Sequence, residues 1–300
     1  MTPQQSLSPR AWVELCALGL IWGGSFLAIR IALDEIGPLW SVVHRVFWAA
    51  LVLWTVVALR GLRLPRERGT WVALLIMGLL NNVIPFGLMA WGQLHIPTGL
   101  TAILNAATAI FGVIGAAIMF ADERLTPRKA LGVGLGFLGV AVAIGLRNFL
   151  AFDITSVAQL AVLGGTISYA AAGVWARKTL RGLAPAVSAA GMLTGAFILV
   201  LPLALAVEGP PDLALSARTW GAIGYYALAA TAIAYLLYYR VLAMAGSGNL
   251  LLVTLLIPPV AITLGALVRG EALAPTAFVG FGLLAVGLLI LNRRPVARNG

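Results

Sequence analysis

Apolar runs of about twenty residues alternate with short polar breaks along the whole chain. Ten such runs occupy residues 11–33, 38–59, 70–91, 98–120, 127–146, 156–177, 185–207, 217–243, 247–268 and 275–292. A helix rises 1.5 Å per residue, so about 20 apolar residues cross the roughly 30 Å hydrocarbon layer of a bilayer. In lipid each backbone N–H and C=O must be paired within its own segment, so runs of this length are helices. The breaks hold turn residues: Gly37-Pro38, Pro65, Pro97, Pro127, Pro185, Gly209-Pro210-Pro211, Gly246-Ser247-Gly248 and Pro275. The first run follows a polar stretch, Met1 to Arg10, and exceeds the apolar core of a signal peptide, about 7–15 residues. It is expected to stay in the protein as a span. The pattern predicts an all-α integral membrane protein with ten transmembrane helices.

Two stretches of the chain repeat each other. Glu123-Arg124-Leu125-Thr126-Pro127 precedes Gly132, Gly134 and Gly139, and Glu271-Ala272-Leu273-Ala274-Pro275 precedes Gly280, Gly282 and Gly287. Each matched Glu, Leu, Pro and Gly lies 148 positions from its partner, as 271 minus 123 shows. A single offset at six matched residues marks a duplication of half the chain. Five helices per half is an odd number, so the second half must enter the membrane from the opposite side. The expected organisation is a tail at 1–10, a first five-helix repeat at 11–146, an external linker at 147–155, a second repeat at 156–292 and a tail at 293–300. Glu123 and Glu271 then fall at opposite faces. Each carboxylate is expected near the N-terminus of the helix that follows it, where negative charge is favoured. The glycines are read as packing surfaces.

Composition changes the picture in one respect and charge in another. Sixty-one per cent of residues are hydrophobic and 10% charged, against about 25% charged in soluble domains, so the surface must face lipid. With the N-terminus inside, the inner regions hold Arg10, Arg60, Arg63, Arg66, Arg68, Arg124, Arg128, Lys129, Arg177, Lys178, Arg181, Arg240, Arg293, Arg294 and Arg298. The outer side and its helix ends hold only Arg30, Arg45, Arg147, Arg218 and Arg269. This bias favours cytoplasmic termini in an inner (plasma) membrane. It accounts for the net charge of +10 without nucleic acid, since no loop is long enough for a basic domain. One cysteine, Cys16, excludes an intrachain disulfide.

Inverted repeats are a feature of transporters, with the substrate held near the midplane between the halves. Leu20-Ile21-Trp22-Gly23-Gly24-Ser25-Phe26, Pro38 with Arg45, and the two Glu-x-Leu-x-Pro stretches give the chain a specific likeness. In their order and spacing it resembles the drug/metabolite transporter superfamily, specifically the EamA-type permeases, and among them the amino-acid exporters. The resemblance implies a central cavity lined by helices 1, 3, 4, 6, 8 and 9. The second half departs from it at Ile167-Ser168-Tyr169, where the first has Trp22-Gly23-Gly24.

Polar residues within spans tend to face a cavity or a neighbouring helix. Asn81 and Asn82 lie near the middle of the third helix, and Pro85 lacks the N–H that would bond the Asn81 carbonyl. By the same rule Pro258 and Pro259 free the carbonyls of Thr254 and Leu255 in the ninth helix. The fourth helix aligns with the ninth and carries Asn105 and Thr108. These amides and carbonyls suit an ammonium or peptide-like ligand, and equally suit helix-to-helix gluing. Pro85, Pro258 and Pro259 are candidate hinges. Among the aromatics Trp22, Trp91, Tyr169, Trp175, Tyr225, Tyr226, Tyr235, Tyr238 and Tyr239 are candidates for a cavity wall. Trp12, Trp40, Trp71 and Trp220 near helix ends read as interface anchors. The candidate substrate-binding residues are Trp22, Asn81, Asn82, Asn105, Thr108, Tyr169, Trp175, Tyr235 and Thr254. Arg45, about 10 Å into the second helix, either binds a substrate carboxylate or snorkels to the interface.

Catalytic chemistry finds no frame. The two histidines, His44 and His95, belong to no metal motif, and Ser25 lacks the Gly-x-Ser-x-Gly setting. No catalytic residue, metal or cofactor is expected, and no ATP-binding motif is present. No Asp or Glu lies at mid-membrane, which predicts weak or no obligatory proton coupling. The expected function is alternating-access transport of a small organic metabolite, foremost efflux of apolar or aromatic amino acids. The alternatives are a drug, nucleobase or sugar-derivative permease, and a membrane-embedded enzyme or lipid-handling protein. The expected partners are a small-molecule substrate and the lipid bilayer; the sequence does not fix the oligomeric state.

Overall fold

The computed structural model describes residues 8–121, 125–144, 154–180, 182–250 and 253–292, side chains excepted at 242, 243, 245–250 and 292. Glu123, most of the 147–155 linker, the tail at 293–300 and most of the N-terminal tail lie outside the described residues. The described chain forms α1 (Pro9–Ala32), α2 (Pro38–Leu59), α3 (Arg68–Gly92), α4 (Thr98–Met119), α5 (Pro127–Ile144), α6 (Ile154–Thr179) and α7 (Pro185–Val207). It continues with α8 in three segments (Ala217–Gly224, Tyr225–Ile233, Ala234–Leu250), α9 (Val253–Arg269) and α10 (Pro275–Asn292). Eight of the ten are long and apolar enough to cross a bilayer, and α9 and α10 are shorter apolar helices. The chain is an all-α, multi-pass membrane protein.

Proline sets many of the boundaries. α2, α5, α7 and α10 each begin on a proline, whose fixed φ suits the first helical position and whose missing N–H is no loss there. Ser8 and Ser216 cap α1 and α8 by accepting from the N–H groups of Ala11 and Thr219, each at 3.2 Å. One expected break is absent: α8 runs helically through Gly246-Ser247-Gly248 to Leu250, and α9 starts only at Val253. A glycine costs a helix only about 1 kcal/mol, less than leaving backbone groups unpaired near lipid.

Repeat mates pack against each other. α2 lies on α7 and α5 on α10. Gly132 abuts Gly287 and Gly139 abuts Gly280: a Cβ at Gly132 would stand 2.8 Å from the Gly287 carbonyl oxygen, and one at Gly139 2.7 Å from that of Gly280. Ascending numbers meet descending ones, so these two equivalent helices run antiparallel. The duplication is therefore inverted. The remaining contacts exchange in the same sense, α1 packing on α8 and α9 while α6 packs on α3 and α4.

Three helices are interrupted near mid-depth. In α3 residues Leu79–Val83 form a π-helical segment, and in α8 residues Tyr225–Ile233 do, at the repeat-equivalent place. α4 is broken at Ala106-Ala107 by a tightened turn, with Ala107 N–H on Leu104 O at 3.0 Å. α9, although it carries Pro258-Pro259, stays one helix from Val253 to Arg269.

Candidate functional site: a cavity between the halves

The first-helix motif divides its residues between packing and the site. Gly19 and Gly23 let α1 approach α9: a Cβ there would fall 2.6 Å from Leu256 Cβ and 2.5 Å from Val260 Cβ. Gly24 makes room for Tyr225, whose hydroxyl donates to the Ile21 carbonyl at 3.1 Å. Trp22, Ser25 and Phe26 are left facing inward, onto a cavity of about 580 Å³.

Its wall comes from α1, α3, α4, α6, α8 and α9, with Arg45 added by α2 and Met192 by α7. Trp22, Asn81, Asn105, Thr108, Tyr169, Tyr235 and Thr254 all line it. Aromatic and thioether side chains add Phe26, Phe86, Met77, Met89, Tyr238 and Tyr239, and aliphatic ones such as Ile29, Val253 and Ile257 complete the apolar part. Asn82 and Trp175 do not join them. Successive helical residues point about 100° apart, so Asn82 turns into the bundle, fully enclosed, its carboxamide without a partner among the described residues. Trp175 donates its indole N–H to the Ala73 carbonyl at 3.0 Å and borders a separate recess with Thr70, Val72 and Ile76.

The interrupted helices feed this wall with polar groups. In the α3 π turn the Ile84 N–H reaches back five residues to Leu79 O. The register is shifted by one, so the carbonyl facing Pro85 is that of Leu80 rather than that of Asn81. Ser168 Oγ of α6 donates to it at 2.7 Å. On the other side of the pseudo-axis Trp22 Nε1 of α1 donates to Ala230 O, inside the α8 π segment, at 3.1 Å. Each π segment is thus held by the first helix of the opposite half. Asn81 Nδ2 donates to Tyr235 Oη at 3.1 Å and approaches Met192 Sδ at 3.4 Å. Asn105 Oδ1, Thr108 Oγ1 and Gln93 Oε1 are buried with no partner among the described residues.

Arg45 does not snorkel. It is 9% exposed, its Nε donates to Thr231 Oγ1 at 2.9 Å, and its guanidinium lies 3.9 Å from the centroid of the Phe86 ring. Thr231 is itself fixed, its hydroxyl donating to Tyr226 O at 2.8 Å. The sequence left Arg45 between two roles because both faces of α2 are apolar, so periodicity cannot say which one looks inward.

The end of the bundle bearing loops 33–37, 93–97, 208–216 and 270–274 is tied across the halves by carboxylates. Asp34 pairs with Arg269 and with Arg30, and Glu35 accepts from the Ser216 hydroxyl and N–H. Glu208 accepts from the N–H groups of Leu39 and Trp40 at 2.9 and 3.0 Å. Glu271 accepts from the N–H and hydroxyl of Thr98, each at 2.7 Å. This corrects the expected role of Glu271: it caps α4 of the other half, not the α10 that follows it. Trp40, read as an interface anchor, is buried and donates to Gly209 O at 3.1 Å. Within loop 33–37, the surroundings move two carboxyl pKa values. Burial raises that of Asp34, but the hydrogen bonds and charges of Arg269 and Arg30 outweigh it and leave it below the ordinary value. Hydrogen bonds from Ser216 lower that of Glu35.

Comparison with known proteins bears on the same architecture. The chain is 28% identical over 98% of its length to a probable terminal-alkyne amino-acid exporter of Streptantibioticus cattleyicolor, covering 96% of that protein. It is 26% identical over 93% of its length to the uncharacterized inner membrane transporter YedA of Escherichia coli, covering 89% of it. A crystal structure sharing 18% identity superposes with a TM-score of 0.68 over 95% of this chain and 98% of the other, a likeness of fold. The model of the EamA-like transporter family matches residues 11–145 and again 156–293, one match for each half. With its inverted halves, its interrupted helices and the cavity enclosed between them, the chain belongs to the EamA-like transporter family.

Proposed function

We propose that the cavity carries amino acids with apolar or aromatic side chains, and that the protein exports them by alternating access. The observation that carries this reading is the wall itself: amide, hydroxyl and guanidinium groups set in a chamber lined for the rest by aromatic, thioether and aliphatic side chains. A space of about 580 Å³ is within the range of small-molecule sites, and an amphiphile with a small polar head matches its lining. The name of the Streptantibioticus relative supports the substrate class and the direction. Trp22, Asn81, Asn105, Thr108, Tyr169, Tyr235 and Thr254 contact the substrate in this reading, while Asn82 and Trp175 stand behind the wall.

Toward the carboxylate-tied end the wall residues Phe26, Met89, Ala90 and Gln93 are buried. Those toward the arginine-rich end, such as Ala176, Tyr239 and Thr254, retain exposure. The state is read as open toward the arginine-rich end, which the charge bias assigns to the cytoplasm. Opening the other end requires one half to rock on the other, flexing near Pro85 and Pro258-Pro259. Described carboxylates sit only near helix ends, so proton coupling is not obligatory in this scheme. Purified protein in liposomes should move labelled phenylalanine or leucine at least tenfold faster than empty vesicles, with or without a pH gradient. Flux confined to nucleobases, sugars or drugs in a substrate panel would replace the amino-acid reading.

A further inference from the structure

We infer that Arg45 is the receptor for a substrate carboxylate, and that the cavity orients an α-amino acid with its carboxylate on α2 and its ammonium toward the unpartnered oxygens of Gln93, Asn105 and Thr108. This rests on the amino-acid reading of the cavity and specifies its polar head.

The first support is an incomplete set of partners. One edge of the guanidinium is held by Thr231 and one face by Phe86. The ion pairs among the described residues use Arg10, Arg30, Arg240 and Arg269, not Arg45. The described acidic residues, Glu14, Asp34, Glu35, Glu67, Glu208, Asp212 and Glu271, all lie at or near the two ends of the bundle. A buried cation without an anion is costly, and the cavity is where an anion can reach it. A guanidinium with Nε engaged still offers Nη donors in a planar fork, which suits a carboxylate.

The second support is an asymmetry between repeat mates. Arg45 stands seven residues after Pro38 in α2, and Met192 stands seven after Pro185 in α7. Both face the cavity. Aligned on the prolines that open α2 and α7, the halves set a cation against an apolar thioether, which suits a ligand that presents different chemistry to each. The third support is Asn105 Oδ1, Thr108 Oγ1 and Gln93 Oε1, buried acceptors on the same wall with no partner. An ammonium supplies three donors and complements them.

The test uses intact protein in liposomes, with labelled phenylalanine competed by 3-phenylpropionate, phenylalaninamide and phenethylamine. For the wild type, 3-phenylpropionate should compete about 10- to 100-fold better than the amide or amine, the range of one charge-assisted hydrogen bond or more. Arg45→Gln should erase that preference, and Arg45→Lys should raise KM with little change in maximal flux. Thr231→Val, a near-isosteric change that frees Nε, should weaken carboxylates several-fold, and it keeps the question answerable if Arg45→Gln fails to fold. Equal competition by acid and amide in the wild type, or a preference surviving Arg45→Gln, overturns the proposal while leaving amino-acid transport standing. Thermal protection of detergent-solubilised wild type by 3-phenylpropionate, absent in Arg45→Gln, with no amino-acid flux, would keep the anion site and overturn both the zwitterion and the amino-acid reading.

Discussion

Two adjacent asparagines show what single residues contribute here. In the sequence Asn81 and Asn82 are equivalent, polar and mid-helix. As helical neighbours they point about 100° apart, Asn81 onto the cavity beside Tyr235 and Asn82 into an enclosed position without a hydrogen-bond partner among the described residues. An unpaired buried amide carries its desolvation cost uncompensated, about 1–3 kcal/mol. Asn82→Leu, of similar size, should therefore raise the melting temperature in detergent and leave flux within about twofold. Asn81→Ala should do the reverse, lowering flux several-fold through KM with little change in melting. Loss of flux in Asn82→Leu at unchanged stability would return Asn82 to the binding site. Identity and depth of these residues were legible in the sequence. Facing was not, because a one-residue shift in hydrogen-bond register re-aims every side chain behind it, and the chain carries no local signature of that shift.

Among the elements, the antiparallel pair α5 and α10 shows what the repeat motif encodes. The sequence gives Gly132, Gly134 and Gly139, and their mates, equal standing as packing residues. The structure divides them. A Cβ at Gly139 would stand 2.5 Å from the backbone N of Leu284, and one at Gly280 2.4 Å from that of Ala143, whereas nothing lies within 4 Å at Gly134 or Gly282. Backbone cannot yield as a flexible side chain can, so Gly139→Ala and Gly280→Ala should each destabilise by about 1–3 kcal/mol. Gly134→Ala and Gly282→Ala should be neutral or gain up to about 1 kcal/mol of helix propensity. Melting of the four variants in detergent decides it, and equal losses at all four positions would mean that the α5–α10 crossing is not the tight one described. The ten spans and their inversion were readable because length, proline and a constant offset are properties of the chain itself. The break in α4 was not, since nothing at Ala106-Ala107 marks a turn, and the Gly-Ser-Gly break was misread because glycine permits a helix as well as a loop.

For the whole molecule, the question is what holds the two halves in this arrangement. Asp34, Glu35, Glu208 and Glu271 each reach from one half to the other, and Glu208 and Glu271 cap helix N-termini that belong to the opposite repeat. No sequence pattern announces this, since the partners lie more than half a chain apart and a carboxylate before a helix is naturally assigned to that helix. The exposed Asp34–Arg269 pair contributes at most about 1 kcal/mol. The Glu208 and Glu271 caps are charge-assisted bonds to backbone N–H groups, and such contacts favour the closed end by about 1 kcal/mol or more each. The proposed alternating-access cycle needs this end to open at a modest cost, and a latch of several small contacts suits that better than one large one. With Cys16 replaced by Ser and spin labels at Leu94→Cys and Leu213→Cys, the wild type should show one dominant short distance. Glu208→Gln with Glu271→Gln should raise the long-distance population about tenfold, equivalent to about 1.4 kcal/mol. The sign of the pH effect follows from Asp34 and Glu35, whose pKa values are both lowered by their partners. Such groups contribute fully above the ordinary carboxylate value of about 4 and lose the contribution only as pH falls through their lower values. The distance distribution should therefore stay flat between about pH 5 and 8, and the open population should grow below about pH 4. A distribution that shifts near neutral pH, or ignores the double substitution, would show that the carboxylates decorate this end without holding it shut.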